Sequence, residues 1–164
     1  MGKVDDNKQQ KLNALLNAAY DLFTTQSVEK TTIAEISKAA DVAKGTFYLY
    51  FKDKYEIRNR LISHESSKLF KDAVAALEKE SSAVSEEPAF EEKMIFIINY
   101  IVDALDGNHS LLTFISKNLS WGVFKEALTT NVASNDINFK DIYYEMLSTS
   151  GLSIEEPEIL LFLV

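Results

Sequence analysis

The 164-residue chain predicts an all-α fold, with a small N-terminal head of short helices joined by one long helix to a larger helical body. Apolar residues recur at helical spacing through most of the chain, and no run alternates over strand length. Helix-capping signals punctuate residues 30–55, where the pieces are short. The charge also divides. Residues 1–60 hold ten Lys/Arg against eight Asp/Glu, or +2, whereas residues 61–164 hold seven against seventeen, or -10.

Residues 1–10 are polar and predict a frayed end. Leu12, Leu15, Leu16, Ala19, Leu22 and Phe23 then define one apolar face and a first helix of about four turns. Thr32 and Glu35 form a Ser/Thr-x-x-Glu capping box, which starts a short helix with Ile33, Ile36 and Ala40 inward. Asp41 and Val42 interrupt, and a second short helix follows over residues 44–50. Asp53 can cap a long helix through Ile57, Leu61, Phe70, Val74 and Leu77. Residues 80–87 are Ser- and Glu-rich and predict a loop, with Pro88 in the first turn of the next helix. That helix carries Phe90, Met94, Ile97, Ile98, Ile101 and Leu105, and residues 106–108 stop it. Further helices are predicted at 109–119, 121–128 and 139–147, with a polar stretch at 131–138 and a break between Gly151 and Pro157. Residues 159–164 are strongly apolar without a cap, which predicts a C-terminally truncated body whose last helix is incomplete.

The composition removes several function classes. With no cysteine, the chain has no disulfide framework, thiolate zinc site or cysteine nucleophile. No stretch approaches the roughly 20 apolar residues of a membrane span, and there is no secretory h-region. The expectation is a soluble cytoplasmic protein. The two histidines, His64 and His109, fall on separate predicted helices, and neither a His-x-x-x-His pair nor a Gly-rich phosphate loop is present. Glu86, Glu87, Glu91 and Glu92 read as charge compensation at a helix start rather than as a catalytic pair. No enzyme activity, cofactor or metal is expected.

The segment from Thr32-Ile33-Ala34-Glu35-Ile36 to Lys44-Gly45-Thr46-Phe47-Tyr48-Leu49-Tyr50-Phe51-Lys52-Asp53-Lys54 resembles the signature of the TetR (tetracycline-repressor-like) family. The close resemblance covers residues 11–60, and beyond them only the helical character is shared. It implies a helix-turn-helix DNA-binding domain over residues 8–55, and an effector-binding and dimerisation domain over 56–164. It also implies a homodimer on palindromic double-stranded operator DNA, acting as a repressor and released by a small effector. By position, Thr32 and Lys54 match phosphate contacts. Lys44, Gly45 and Thr46 match positions facing the major groove. Tyr48 and Tyr50 match aromatic positions at the DNA backbone and the module's edge. Two residues depart from the pattern: Asp41 stands where the family commonly has glycine, and Ala43 where it commonly has a capping serine.

Each residue type is physically suited to the role the resemblance implies, whereas outside this motif Lys44 would read as a solubilising charge and Gly45 as a tolerated poor helix residue. Gly45 has no Cβ and lets the backbone approach a phosphate or base edge. Lys44 can donate to guanine acceptors or to phosphate, and Thr46 can offer a methyl to thymine. Tyr48 and Tyr50 are two apart and point to different sides, so one or both can pack on the core instead. Phe47 and Phe51, four apart, are expected in the core. In the body, Tyr100, Trp121 and Tyr143 combine a ring with a polar handle and are the candidate effector-pocket residues, with core packing as the alternative for each. A rival reading keeps the helix-turn-helix as scaffold for a protein-interaction module with no small-molecule effector.

Overall fold

The computed structural model describes residues 2–82, 88–120 and 139–151. All regular structure among them is helical: α1 (Gly2–Gln26), α2 (Ile33–Ala39), α3 (Lys44–Tyr50), α4 (Lys54–Ser81), α5 (Phe90–Asp106), α6 (His109–Asn118) and α7 (Phe139–Thr149). Trp121, the helix expected at 121–128, the polar stretch at 131–138, Pro157 and the apolar end at 159–164 lie outside the described residues.

α1 buries Leu15, Leu16, Ala18, Ala19 and Phe23 along the face expected from spacing. Its start differs from expectation, because the helix runs back to Gly2 rather than fraying through residue 10. Propagating an existing helix adds one hydrogen bond per ordered residue, so polar residues can continue it. A tertiary tie also reaches this end, since the Tyr50 hydroxyl donates to the Lys8 carbonyl at 3.2 Å. Past α1, Ser27 adopts a left-handed φ of 77°. Its carbonyl accepts from the buried Thr31 hydroxyl at 2.7 Å, which fixes the link to α2.

Two cores organise the rest. The first gathers α1, Ile36 and Ala40, Phe47 and Phe51, the α4 residues Ile57, Leu61 and Ile62, and Phe114 from α6. Phe114 meets Tyr20 edge-on at 6.1 Å and stacks near Phe23 at 6.2 Å, so the head shares its core with the body. The second combines Phe70, Ala73 and Leu77 of α4 with Ile97 of α5, and Ile142 and Met146 of α7 pack against it. α4 thus serves the head with its first half and the body with its second. At 1.5 Å per residue it is about 42 Å long. α5 begins at Phe90, two residues past Pro88, with its start marked by the Ala89 amide donating to the Glu92 carboxylate at 3.0 Å. Its outward side leaves Ile95, Ile98 and Val102 exposed.

Candidate nucleic-acid interface

The turn between α2 and α3 is set by backbone hydrogen bonds. The Val42 amide donates to the Ser37 carbonyl at 3.0 Å and the Asp41 amide to the Lys38 carbonyl at 3.2 Å. This is a Schellman motif, in which the residue after the cap is left-handed and usually glycine. Asp41 fills that position with φ 54°. Aspartate tolerates this region better than most side chains, so the departure from glycine leaves the turn intact.

α2 begins on a complete capping box. The Glu35 amide donates to Thr32 Oγ1 at 3.2 Å, while the Thr32 amide and hydroxyl donate to Glu35 Oε2 at 2.8 and 2.7 Å. The Thr32 hydroxyl and amide hold the Glu35 carboxyl below the usual carboxylate range. α3 lacks any such cap. Ala43 is its N-cap residue, with φ -66° and ψ 145° and no side-chain acceptor, and Asp41 does not substitute for it. Ala43→Ser keeps that backbone and supplies the oxygen. It is expected to stabilise the chain by about 1 kcal/mol, read as a higher midpoint in urea unfolding at unchanged slope.

α3 is seven residues long, too short to persist without tertiary packing. Phe47 supplies that packing and is fully buried, with its ring 5.5 Å from the Phe51 ring. At about 100° per residue, Lys44, Tyr48, Gly45 and Leu49 follow one another around the opposite arc, and all four are exposed. Nothing stands within 4 Å of where a Gly45 Cβ would lie. Tyr48 sits edge-on to Phe47 at 5.6 Å yet keeps 51 % of its surface exposed. Thr46 is half-buried at the border of this face.

The other expected contacts are placed differently. Tyr50 is half-buried, and its hydroxyl proton goes to Lys8 as described above. Lys54 Nζ donates to the carbonyls of Val28 and Glu29 at 2.9 Å each and of Thr31 at 3.1 Å. An ammonium has three protons, so three acceptors use its donor capacity. The geometry makes Lys54 a tie between the start of α4 and the α1–α2 link. Thr31, next to Thr32 in the chain, is buried. Asp53 caps α4, accepting from the Tyr55 and Glu56 amides at 2.9 and 2.8 Å.

Sequence reasoning does not single out Tyr55 and Arg58. The exposed Tyr55 ring lies 5.3 Å from the Arg58 guanidinium carbon and 5.6 Å from Lys54 Nζ, which places an aromatic–cation group at the start of α4. An aromatic three residues before an arginine on a helix is the only signal available for it.

In the body, Tyr143 is buried against Phe90 at 5.9 Å and Tyr144 at 5.9 Å, and burial pushes its phenol pKa up. Tyr100 is half-buried against the second core. A half-open cleft of about 260 Å³ lies between the start of α5 and the end of α7, bounded by Pro88, Phe90, Lys93, Met146 and Thr149. Neither Tyr100 nor Tyr143 lines it. Among the described residues, no group of three His, Asp or Glu is placed to hold a metal ion, and no helix is long and apolar enough to cross a membrane.

Comparison with known proteins bears on this head. The family described as bacterial regulatory proteins, tetR family, matches residues 15–61, which run from the core of α1 to Leu61 of α4. Residues 15–61 are thus similar to the TetR family, and they make up less than a third of the chain. It is 31% identical over 105 residues to the fatty acid metabolism regulator protein of Bacillus subtilis, a match covering 63% of this chain and 50% of that protein. The chain thus spans half the length of that relative. A TetR-family transcriptional regulator of Haemophilus influenzae superposes with a TM-score of 0.57 at 25% identity, covering 96% of this chain and 80% of that one. A tetR-family transcription regulator from Shewanella sp. PV-4 shares the fold, with a TM-score of 0.58 at 19% identity over 91% of this chain and 76% of that one.

Proposed function

We propose that this chain is a sequence-specific DNA-binding transcriptional regulator of the TetR family. In this reading it is a repressor that binds a palindromic operator as a homodimer and is released by a small effector. The observation that carries the reading is the exposed arc of α3. A helix held by Phe47 and Phe51 presents Lys44 and Gly45 outward, with Tyr48 beside them half-exposed against the edge of Phe47. A short helix so presented fits a major groove. Lys44 and Thr46 supply base-edge or phosphate contacts, Gly45 the close approach, and Tyr48 a backbone contact, which Thr32 joins when its hydroxyl turns from Glu35 to a phosphate. Tyr50 and Lys54 support the head from beneath, because their polar groups are taken by Lys8 and by the α1–α2 link.

One seven-residue helix reads only a few base pairs, so a dimer would place two of them about 34–36 Å apart or a multiple of that. The exposed Ile95, Ile98 and Val102 of α5 are apolar surface of the kind a second copy covers. Effector release needs a physical link between body and head, and the Tyr20 region is suited to it. Burial and the Glu65 carboxylate push the Tyr20 phenol pKa up, and Phe114 of α6 packs against its ring. A ligand that favours one arrangement of α4 and α6 would shift the heads by its unequal affinity for the two states. The Bacillus relative's name points to fatty acid metabolism, so fatty-acid-related molecules are the first effectors to try.

The reading is tested by selecting bound duplexes from a randomised pool with the full chain. Enrichment of an inverted repeat, with binding by Lys44→Ala weakened at least tenfold, supports it. No enrichment above the input pool, together with an intact fold, rejects it and favours the scaffold reading.

A further inference from the structure

Leu49 is 81 % exposed, more than any other large apolar side chain among the described residues. A lone exposed leucine is ordinary on a protein surface, but this one has a particular setting. Its helix has already filled its core face with Phe47 and Phe51, both essentially inaccessible. It stands one turn after Gly45, on the arc that also carries Lys44 and Tyr48. Leu49 nevertheless leaves the Gly45 gap open, since nothing comes within 4 Å of where a Gly45 Cβ would lie.

The surroundings restrict what can cover it. Residues 1–60 carry a net +2 and the rest -10, and Lys44 lies on the same arc, so this face is matched to a polyanion. Leucine has no donor or acceptor. Of the groups that base pairs display in the major groove, only the thymine C5-methyl is apolar. Arginine, lysine, asparagine or glutamine at this place would read polar edges, whereas leucine can gain only by covering that methyl.

We propose that Leu49 is a specificity-determining residue that selects thymine at one position of each half-site by packing on its C5-methyl group. This inference rests on the DNA-binding reading above and assigns one of its base preferences to a residue outside the expected contact set. The position carries no phosphate contact, so it contributes to sequence preference and not to the salt dependence of binding.

The test is methyl deletion on the DNA combined with truncation of the side chain. The selected duplex is made with each thymine in turn replaced by deoxyuridine, which lacks only the methyl group. Binding is measured for the full-length wild-type chain, Leu49→Ala and Lys44→Ala. At one thymine per half-site, deoxyuridine is expected to weaken wild-type binding by about three- to fivefold, the effect of one buried methyl group. Leu49→Ala is expected to bind the thymine duplex several-fold more weakly, to lose the thymine–uracil difference at that position alone, and to keep the wild-type salt slope and Tm. If every thymine-to-deoxyuridine change affects wild type and Leu49→Ala equally while Lys44→Ala still weakens binding, the assignment of Leu49 is wrong and the DNA-binding reading stands. If the wild-type chain binds no duplex, both fail together.

Discussion

Phe47→Ala is expected to destabilise the chain by about 3–5 kcal/mol, the usual cost of emptying a fully buried phenylalanine site. The large value follows from where the ring sits. Phe47 lies between Tyr48 and Phe51 at 5.6 and 5.5 Å, in a core shared by α1, α2, α4 and α6. Around it is a seven-residue helix that has little stability of its own. Typical domains are stable by only 5–15 kcal/mol, so the variant sits near the edge of folding. For a chain of this size Tm should fall by roughly 6–20 °C. Conservative surface changes on the same helix serve as the comparison, because exposed positions usually stay within about 0.5 kcal/mol. A loss under about 1 kcal/mol for Phe47→Ala would show that the ring does not anchor α3.

Gly45→Ala is expected to move stability and DNA binding in opposite directions. The free protein has room for the methyl group, with nothing within 4 Å of the Cβ position. The glycine φ lies outside the left-handed region, so alanine adopts the same backbone. Alanine is the better helix residue by roughly 0.5–1 kcal/mol, and Tm should stay level or rise. If the backbone at this point approaches a phosphate or base edge, the added methyl occupies that gap. Binding to the selected duplex should then fall at least tenfold, about 1.4 kcal/mol. A stabilised variant that binds less well is difficult to obtain from a folding defect, so the pair of measurements isolates the contact. Unchanged affinity would place Gly45 away from the DNA.

The fold was largely legible because its head is built from local signals. Thr32 with Glu35 and the Asp53 cap fix where α2 and α4 begin, and the structure places both helices there. The apolar spacing of α1 and α4 marks the faces that become buried. Asp41 in the turn was also readable, since aspartate is among the few non-glycine residues that accept a left-handed conformation. The extension of α1 back to Gly2 was not, because polar residues carry no periodicity and the Tyr50–Lys8 tie spans forty-two positions. The same limit hides Phe114, an apolar residue of the body whose ring completes the head's core between Tyr20 and Phe23.

The candidate site divides along the same line. Lys44, Gly45 and Tyr48 share an exposed arc, which follows from helical spacing once α3 is located. Lys54 reads as a free cation near a helix start, yet it is bound by three carbonyls from a link more than twenty residues away. Only tertiary structure can show that an ammonium is already satisfied. Leu49 is hidden for the opposite reason. An apolar residue between two aromatics in a helix reads as core, and its exposure appears only once Phe47 and Phe51 are seen to fill the core face.

The most direct test of the DNA-reading face is the salt dependence of duplex binding by the full chain and by Lys44→Ala. For a protein that neutralises phosphates, log affinity falls linearly with log salt concentration, with a slope of about -0.9 for each phosphate contacted. The wild-type chain is expected to show a steep line on its selected duplex, and Lys44→Ala a line shallower by up to about 2, one phosphate in each half-site, if Lys44 donates to phosphate. If Lys44 reads guanine instead, the slope stays and the preference at one base pair relaxes. A Lys44→Ala chain with wild-type affinity, wild-type slope and wild-type base preference would contradict the account.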